Sequence, residues 1–183
     1  MIEQIKIGCA STKTTYGHRL DTTLVELNSD AKISGLFTSN KFKSAPVQIC
    51  LDQFEAKMKG KKMLAINAGN ANAATGKKGV SDAKKLIKEI SNLTNISTTQ
   101  ILPFSTGVVG QLLDMKELSS AFNKCFKNLS KNSWDDFAKA IMTTDTKSKI
   151  IKLPFKAGSK KYHIVGIAKG VGMIEPNMAT TLS

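Results

Sequence analysis

The chain holds only two histidines, His18 and His163, so an H-E-x-x-H helix is absent and a Ser-His-Asp triad would have to use one of these two. Nucleophilic chemistry must therefore be sought among hydroxyls. The most suggestive hydroxyl lies in the C-terminal run A-K-G-V-G-M-I-E-P-N-M-A-T-T-L-S, Ala168 to Ser183, where Gly-x-Gly flexibility meets a Pro-restricted turn and then Ala179 followed by Thr180. A hydroxyl directly after a small residue at a constrained bend is what self-cleavage by N-to-O acyl shift needs. The Thr180 oxygen would attack the Ala179 carbonyl, and hydrolysis of the resulting ester would free a Thr180 α-amine. That amine, with an ordinary pKa near ~7.7–8.0, could serve as general base for its own hydroxyl. Spacing alone fits an ordinary Gly/Pro loop before one more strand at least as well.

Two further segments use small and polar residues where a core would use bulk. In F-S-T-G-V-V-G, Phe104 to Gly110, the Thr106 hydroxyl stands beside a Gly107 amide that can adopt geometries forbidden to other residues, a pair able to stabilise an oxyanion. A plain turn explains the same pair. In N-A-G-N-A-N-A-A-T-G, Asn67 to Gly76, three asparagines and two glycines follow an apolar run and permit a tight hydrogen-bonded turn, either near a ligand or as a purely structural device. Neither segment is a nucleotide loop: six residues separate Gly69 from Gly76 where a Walker A loop has four, and Lys78 stands where Ser or Thr would bind magnesium. Gly166, Gly170 and Gly172 lack the dinucleotide spacing. Adjacent Asp135 and Asp136 diverge by about 100° on a helix and read as solvated helix-start acids rather than a catalytic pair.

These segments need a scaffold, and periodicity supplies one. Thr22 to Leu27, Ile33 to Thr38, Met63 to Asn67 and Tyr162 to Ala168 read as strands. Ser81 is a good N-cap, and Ala83, Leu86, Ile87 and Ile90 recur at helical spacing behind it. Met115 to Leu129 repeats the pattern with Leu118, Phe122, Cys125, Phe126 and Leu129, and a third helix starts at Ser133, burying Trp134, Phe137, Ala138 and Ile141. The interleaving predicts an α/β or α+β class without repeat or linker.

Composition excludes more than it assigns. The 183 residues carry 27 Lys plus Arg against 14 Asp plus Glu, a net +13, which invites a nucleic-acid-binding reading. Yet Arg19 is the only arginine, and the lysines lack interleaved aromatics, so a solvated lysine-rich surface is the better expectation. Cys9, Cys50 and Cys125 form neither a C-x-x-C pair nor an even framework, so no metal site is expected and a reducing, cytoplasmic setting fits. No apolar run approaches the ~20 residues of a membrane span, and no leader-like segment opens the chain.

Taken together and in order, the motifs resemble those of the ornithine acetyltransferase (bifunctional glutamate N-acetyltransferase) family: N-A-G-N-A-N-A-A-T-G at 67–76, S-T-G-V-V-G at 105–110, I-M-T-T-D-T at 141–146 and A-K-G-V-G-M-I-E-P-N-M-A-T at 168–180. The G-L-F-T-S-N run at 35–40 and A-P-V at 45–47 match as well. The resemblance implies a DmpA/ornithine-acetyltransferase-like fold, with sheets sandwiched between helical layers and an architecture related to the N-terminal-nucleophile hydrolases. It implies autocatalytic cleavage between Ala179 and Thr180, dividing an α-chain region, 1–179, from the start of a β chain, 180–183. Thr180 would be the nucleophile, Thr106 and Gly107 the oxyanion hole, and Thr143 and Lys169 substrate contacts alongside Thr180, with Thr144 and Thr146 the other candidate hydroxyls of the T-T-D-T run. Lys169 would pair with a substrate carboxylate. The implied reaction is acetyl transfer from N2-acetylornithine to glutamate in arginine biosynthesis, without a cofactor, acetyl-CoA entering only as an alternative substrate in some members. Its implied partners are a β chain from the same precursor, in an α2β2 heterotetramer, and no nucleic acid or membrane. T-T-L-S departs from the family's more usual T-M-L after the cleavage point, and the rest of the β chain is absent, so the chain is expected to be incomplete and inactive alone. A related N-terminal-threonine aminopeptidase and a basic nucleic-acid-binding module are the alternatives.

Overall fold

The computed structural model describes residues 4–13, 16–56, 58–130, 133–170 and 181–183. Its centre is a four-stranded sheet in the order β1 (Ile5–Ala10), β2 (Thr22–Leu27), β3 (Lys62–Asn70), β4 (Ile101–Val108). The first two neighbour pairs are antiparallel and the β3–β4 pair is parallel, and the parallel pair needs a crossover, provided by α2 (Gly76–Thr94). Before it, α1 (Ala45–Glu55) joins β2 to β3; after β4 come α3 (Met115–Lys127) and α4 (Trp134–Ala140). The hairpin β5 (Lys149–Ala157) and β6 (Lys160–Ala168) follows. The α+β class expected from the interleaved patterns is observed.

Strand alternation sorts the core into two layers. On one face Leu24, Met63, Ala65 and Ile101 meet α2 through Ala83, Leu86, Ile87 and Ile90, and α3 through Leu118, Ala121, Phe122 and Cys125. Both helices were legible because these apolar positions follow the 3.6-residue period. Gly8 lets α3 lie hard against β1, since a Cβ there would stand 1.9 Å from the Cys125 carbonyl oxygen. On the opposite face Ile7, Cys9, Val25, Leu27 and Ile66 pack with Ala140 and Ile141, with Trp134, Phe137, Ile167 and Leu182 half-buried around them.

Several local expectations are corrected. Ile33 to Thr38 forms no strand; Phe37 packs edge-on against Phe54 at 5.4 Å, and side-chain contact replaces ladder pairing there. The second helix starts at Gly76, not behind Ser81, and Thr75 sits at its N-cap with its hydroxyl donated back to Asn72 Oδ1. Gly107 lies inside β4 rather than in a turn. Lys62, assigned to the solvated lysines, is 3% exposed and donates to the carbonyls of Ala31 and Gly60 at 2.9 and 2.8 Å. Four of these elements escaped the reading: β1; α1, opened by Pro46 in its first turn; and β4 and β5, each interrupted by a proline (Pro103, Pro154) that argues against a strand interior.

Candidate active site

The parallel pair β3–β4 ends at the site. Register slips between Gly69 and Asn70, and at this irregularity Gly107 takes a φ of +132°. A Cβ on Gly107 would stand 2.3 Å from the Gly69 carbonyl carbon, so only glycine allows the two strands to approach this closely. The preceding residue, Thr106, is fully buried.

The asparagine-rich segment alongside is a self-satisfied frame. Asn67 accepts from the Ser105 hydroxyl at 2.6 Å and donates to the Asn70 carbonyl at 2.8 Å. Asn70 reaches the carbonyls of Gln111 and Leu112, while Asn72, at a left-handed φ of +45°, donates to the Gly79 carbonyl at 3.0 Å. Gly79 is required for space, because a Cβ there would fall 1.9 Å from the Thr75 hydroxyl oxygen. The side-chain bonds of Asn67, Asn70 and Asn72 thus tie the ends of β3 and β4 to the loop after β4 and to the first turns of α2.

Lys169, the residue after β6, points its ammonium into this corner. It is 6% exposed, and it donates to Thr106 Oγ1 at 3.0 Å and to Thr143 Oγ1 at 2.7 Å. These residues are 63 and 26 positions from it in the chain, so the fold, not local sequence, assembles the cluster. Of the hydroxyls in the T-T-D-T run, that of Thr143 meets the ammonium, whereas Thr144 and Thr146 are exposed. The same lysine's amide donates to the Leu182 carbonyl at 2.9 Å, and a Cβ on Gly170 would lie 3.3 Å from the Thr181 hydroxyl. Thr181 therefore lies beside Gly170. Ala179 and Thr180 lie outside the described residues.

Two residues that the motif reading passed over organise the cluster. Asp145, nearly buried, accepts from the amides of Thr143 at 3.2 Å and Gly170 at 3.0 Å and is paired with the Lys149 ammonium. It thereby ties the Thr143 loop to the strand end that bears Lys169. Burial works against its charge, but the Lys149 hydrogen bond and the two amides outweigh burial and bring its pKa down to about 2. Arg19, stacked 3.8 Å over the Tyr16 ring, donates to the Met142 carbonyl at 2.6 Å and reaches that of Thr143. The one signal for Arg19 was its being the chain's single arginine; Asp145 was visible only as the acid inside T-T-D-T. Burial also pulls the Lys169 pKa below the usual lysine value, with Asp145 opposing the shift and Lys149 adding to it. Among the described residues no cluster of His, Cys, Asp and Glu could hold a metal, and no helix is long and apolar enough to cross a membrane.

The depressed Asp145 pKa sets a pH window for stability. An acid whose folded pKa lies below its unfolded value of about 3.8 contributes stability above that value, lost as pH falls towards 2. The expected contribution is at most ~2 kcal/mol, since Lys149 is half exposed and its attraction is screened. Asp145→Asn should lower denaturant stability at pH 7 by that order and remove the matching loss between pH 4 and 2; an unchanged acid profile in the variant would contradict this.

Comparison with known proteins places these features in a family. Two curated relatives, each an arginine biosynthesis bifunctional protein ArgJ, are similar over the chain: that of Colwellia psychrerythraea is 38% identical over 190 residues, covering 99% of this chain and 45% of the relative, and that of Methylococcus capsulatus is 36% identical over 182 residues, covering 100% and 44%. The chain thus spans less than half the length of these relatives. Two solved structures share the fold. The crystal structure of arginine biosynthesis bifunctional protein argJ from Bacillus halodurans superposes with a TM-score of 0.82 at 27% identity, covering 97% of this chain and 92% of that one. That of ornithine acetyltransferase complexed with ornithine from Mycobacterium tuberculosis gives 0.84 at 25% identity, covering 97% and 93%. The fold, the order of the motifs and a match of residues 4–183 to the sequence model of the ArgJ family lead to one assignment: the chain belongs to the ArgJ family.

Proposed function

We propose that this chain is the α-chain region of an ornithine acetyltransferase that moves an acetyl group from N2-acetylornithine to glutamate through an acetyl ester on Thr180, in arginine biosynthesis. The observation that carries this reading is the meeting of Lys169, Thr106 and Thr143 beside Gly170 and Thr181. The antiparallel bridge between Lys169 and Leu182 ties together the two ends of the segment containing the Ala179–Thr180 bond, and Thr181 follows that bond directly. Further support comes from the relative solved with ornithine and from chain lengths. The solved chains are about as long as this one, whereas the curated relatives are more than twice as long, as expected if the family's polypeptide is cut into residues 1–179 and a chain beginning at Thr180.

In this reading the freed Thr180 α-amine takes the proton of its own hydroxyl as the oxygen adds to the acetyl carbonyl. Collapse of the tetrahedral intermediate breaks the C–N bond, and the proton passes to the departing ornithine amine. Glutamate's amine then attacks the ester carbonyl, the ester C–O bond breaks, and the Thr180 oxygen recovers a proton. Both intermediates bear an oxyanion that the Thr106 hydroxyl and Gly107 amide would stabilise, an effect of order 10²–10³ in rate per donor. Lys169 and Thr143 contact the substrate. The reaction needs no cofactor, and acetyl-CoA would act only as an alternative donor. The buried free thiols of Cys9, Cys50 and Cys125 suit a cytoplasmic enzyme.

The partner is a β chain from the same precursor, paired as α2β2. The hairpin offers it a surface. Ile151, Leu153 and Phe155 on β5 and Tyr162 and Ile164 on β6 share one face, Phe155 stacks on Tyr162 at 5.2 Å, and all five are 42–55% exposed.

The test is to express the protein at the full length of its relatives and supply N2-acetylornithine with glutamate. Acetylglutamate and ornithine should appear in equal amounts. Free acetate without acetylglutamate would sink the transferase reading in favour of a hydrolase.

A further inference from the structure

Residues 142–148 lie outside every helix and strand, so no ladder fixes the loop that carries Thr143, and side chains must hold it. Asp145 takes the Thr143 amide. Arg19 takes the carbonyls: its Nη2 donates to that of Met142 at 2.6 Å, and Nη1 and Nη2 both reach that of Thr143 at 3.4 Å. The peptide units on both sides of the Thr143 Cα are thereby held, and together they set the direction in which its stiff, β-branched side chain leaves the backbone. Arg19 is itself anchored. The Tyr16 ring lies under the guanidinium at 3.8 Å, and two residues on, the fully buried Asp21 accepts from the Thr12 and Thr22 hydroxyls while its carbonyl takes the Ala68 amide at 2.7 Å. Only a planar fork can serve two carbonyls at once; an ammonium on a flexible stem is a point. Of the chain's 27 lysines and arginines, the single arginine stands here, and among the described residues no carboxylate pairs with it.

We propose that Arg19 is a positioning residue for substrate binding: by holding the carbonyls on both sides of the Thr143 Cα, it aims the Thr143 hydroxyl into the corner it shares with Lys169. This rests on the acetyltransferase reading, in which Thr143 and Lys169 contact the substrate. Arg19 acts through Thr143 and touches no substrate itself. Without the fork the two peptide planes turn more freely, the hydroxyl spends part of its time away from the corner, and a substrate that needs it binds more weakly. A contact made alike to bound substrate and transition state is lost from KM and not from kcat.

The test uses the full-length, cleaved enzyme. Arg19→Met keeps the stem over Tyr16 and removes the donors; KM for N2-acetylornithine and for glutamate should rise about tenfold, with kcat changed by less than about threefold. Thr143→Ala should do the same, and adding Arg19→Met to it should raise KM by less than about a further twofold, because no hydroxyl is left to aim. Arg19→Lys keeps the charge without the fork and should still show a KM rise of about threefold. Should Arg19→Met fail to fold, Arg19→Gln, which can donate to one carbonyl at a time, carries the same cycle with Thr143→Ala. Amide hydrogen exchange over residues 141–146, measured without substrate, should be about tenfold faster in the Arg19 variant than in the wild type. Unchanged exchange, an Arg19→Lys enzyme equal to the wild type, KM losses that multiply to about 100-fold in the double variant, or a loss confined to kcat would each overturn the proposal. Faster exchange in the variant of an enzyme that makes no acetylglutamate would instead overturn the acetyltransferase reading, and the role in substrate binding with it, while the tie between Arg19 and the loop would stand.

Discussion

Changing Thr180 to alanine should leave the full-length protein as one uncut chain and lower acetyl transfer by at least ~10³-fold. Both effects have a single origin. Without the hydroxyl no ester can form at the Ala179 carbonyl, so the α-amine of residue 180 stays locked in a peptide bond. Without that amine and that hydroxyl, neither the base nor the nucleophile exists. Thr180→Ser separates chemistry from packing: it keeps an oxygen and should still divide into two bands on a denaturing gel. Persistent cleavage in Thr180→Ala would show that another residue attacks, and the role given to Thr180 would have to be abandoned.

Gly107→Ala should damage the fold and the reaction together. Its φ of +132° is strained for any L side chain, and a methyl would stand 2.3 Å from the Gly69 carbonyl carbon and 2.7 Å from the Asn70 nitrogen, backbone atoms that no rotamer can move aside. The expected loss is ~3 kcal/mol or more, at the upper end for single substitutions. Gly110 is the control, because its φ of +83° is also positive but nothing lies within 4 Å of a Cβ there. Gly110→Ala should therefore cost only its backbone strain, ~1–2 kcal/mol. Thermal melts of both variants, with kcat measured alongside, check the ordering. Equal losses would mean that the β3–β4 contact at Gly107 is not the constraint.

How much of this was written legibly in the chain follows from what each signal encodes. Helices α2 and α3 could be read because burial repeats every 3.6 residues, and α4 because Ser133 precedes Trp134, Phe137, Ala138 and Ile141. Strand β4 could not, since Pro103 breaks the local pattern while parallel pairing to β3, a long-range fact, holds it in the sheet. Of the site, the motifs marked Thr106, Gly107, Thr143 and Lys169 as candidates, yet nothing local says that an ammonium at 169 meets hydroxyls at 106 and 143. Arg19 and Asp145 eluded the reading because the bonds that tie them to the site run to backbone carbonyls and amides, which no composition reveals; their side-chain partners, Tyr16 and Lys149, are local and mark no site. Lys62 misled in the opposite sense, because a lysine among lysines looks solvated until two carbonyls are found around its nitrogen.

The outward apolar face of the β5–β6 hairpin bears on how such a protein must be made. A five-residue greasy surface on an antiparallel ribbon invites self-association whenever it emerges without its cover. If the cover is the proposed β chain, encoding it in the same polypeptide and cutting only afterwards would solve a supply problem: each copy would meet its counterpart at an effective concentration of about millimolar, in strict one-to-one proportion, before any neighbour could compete. Two separate messages would have to match their output and win that race by diffusion. Under the proposed function, the scission that would create the nucleophile would then act on a molecule whose two halves already share one polypeptide.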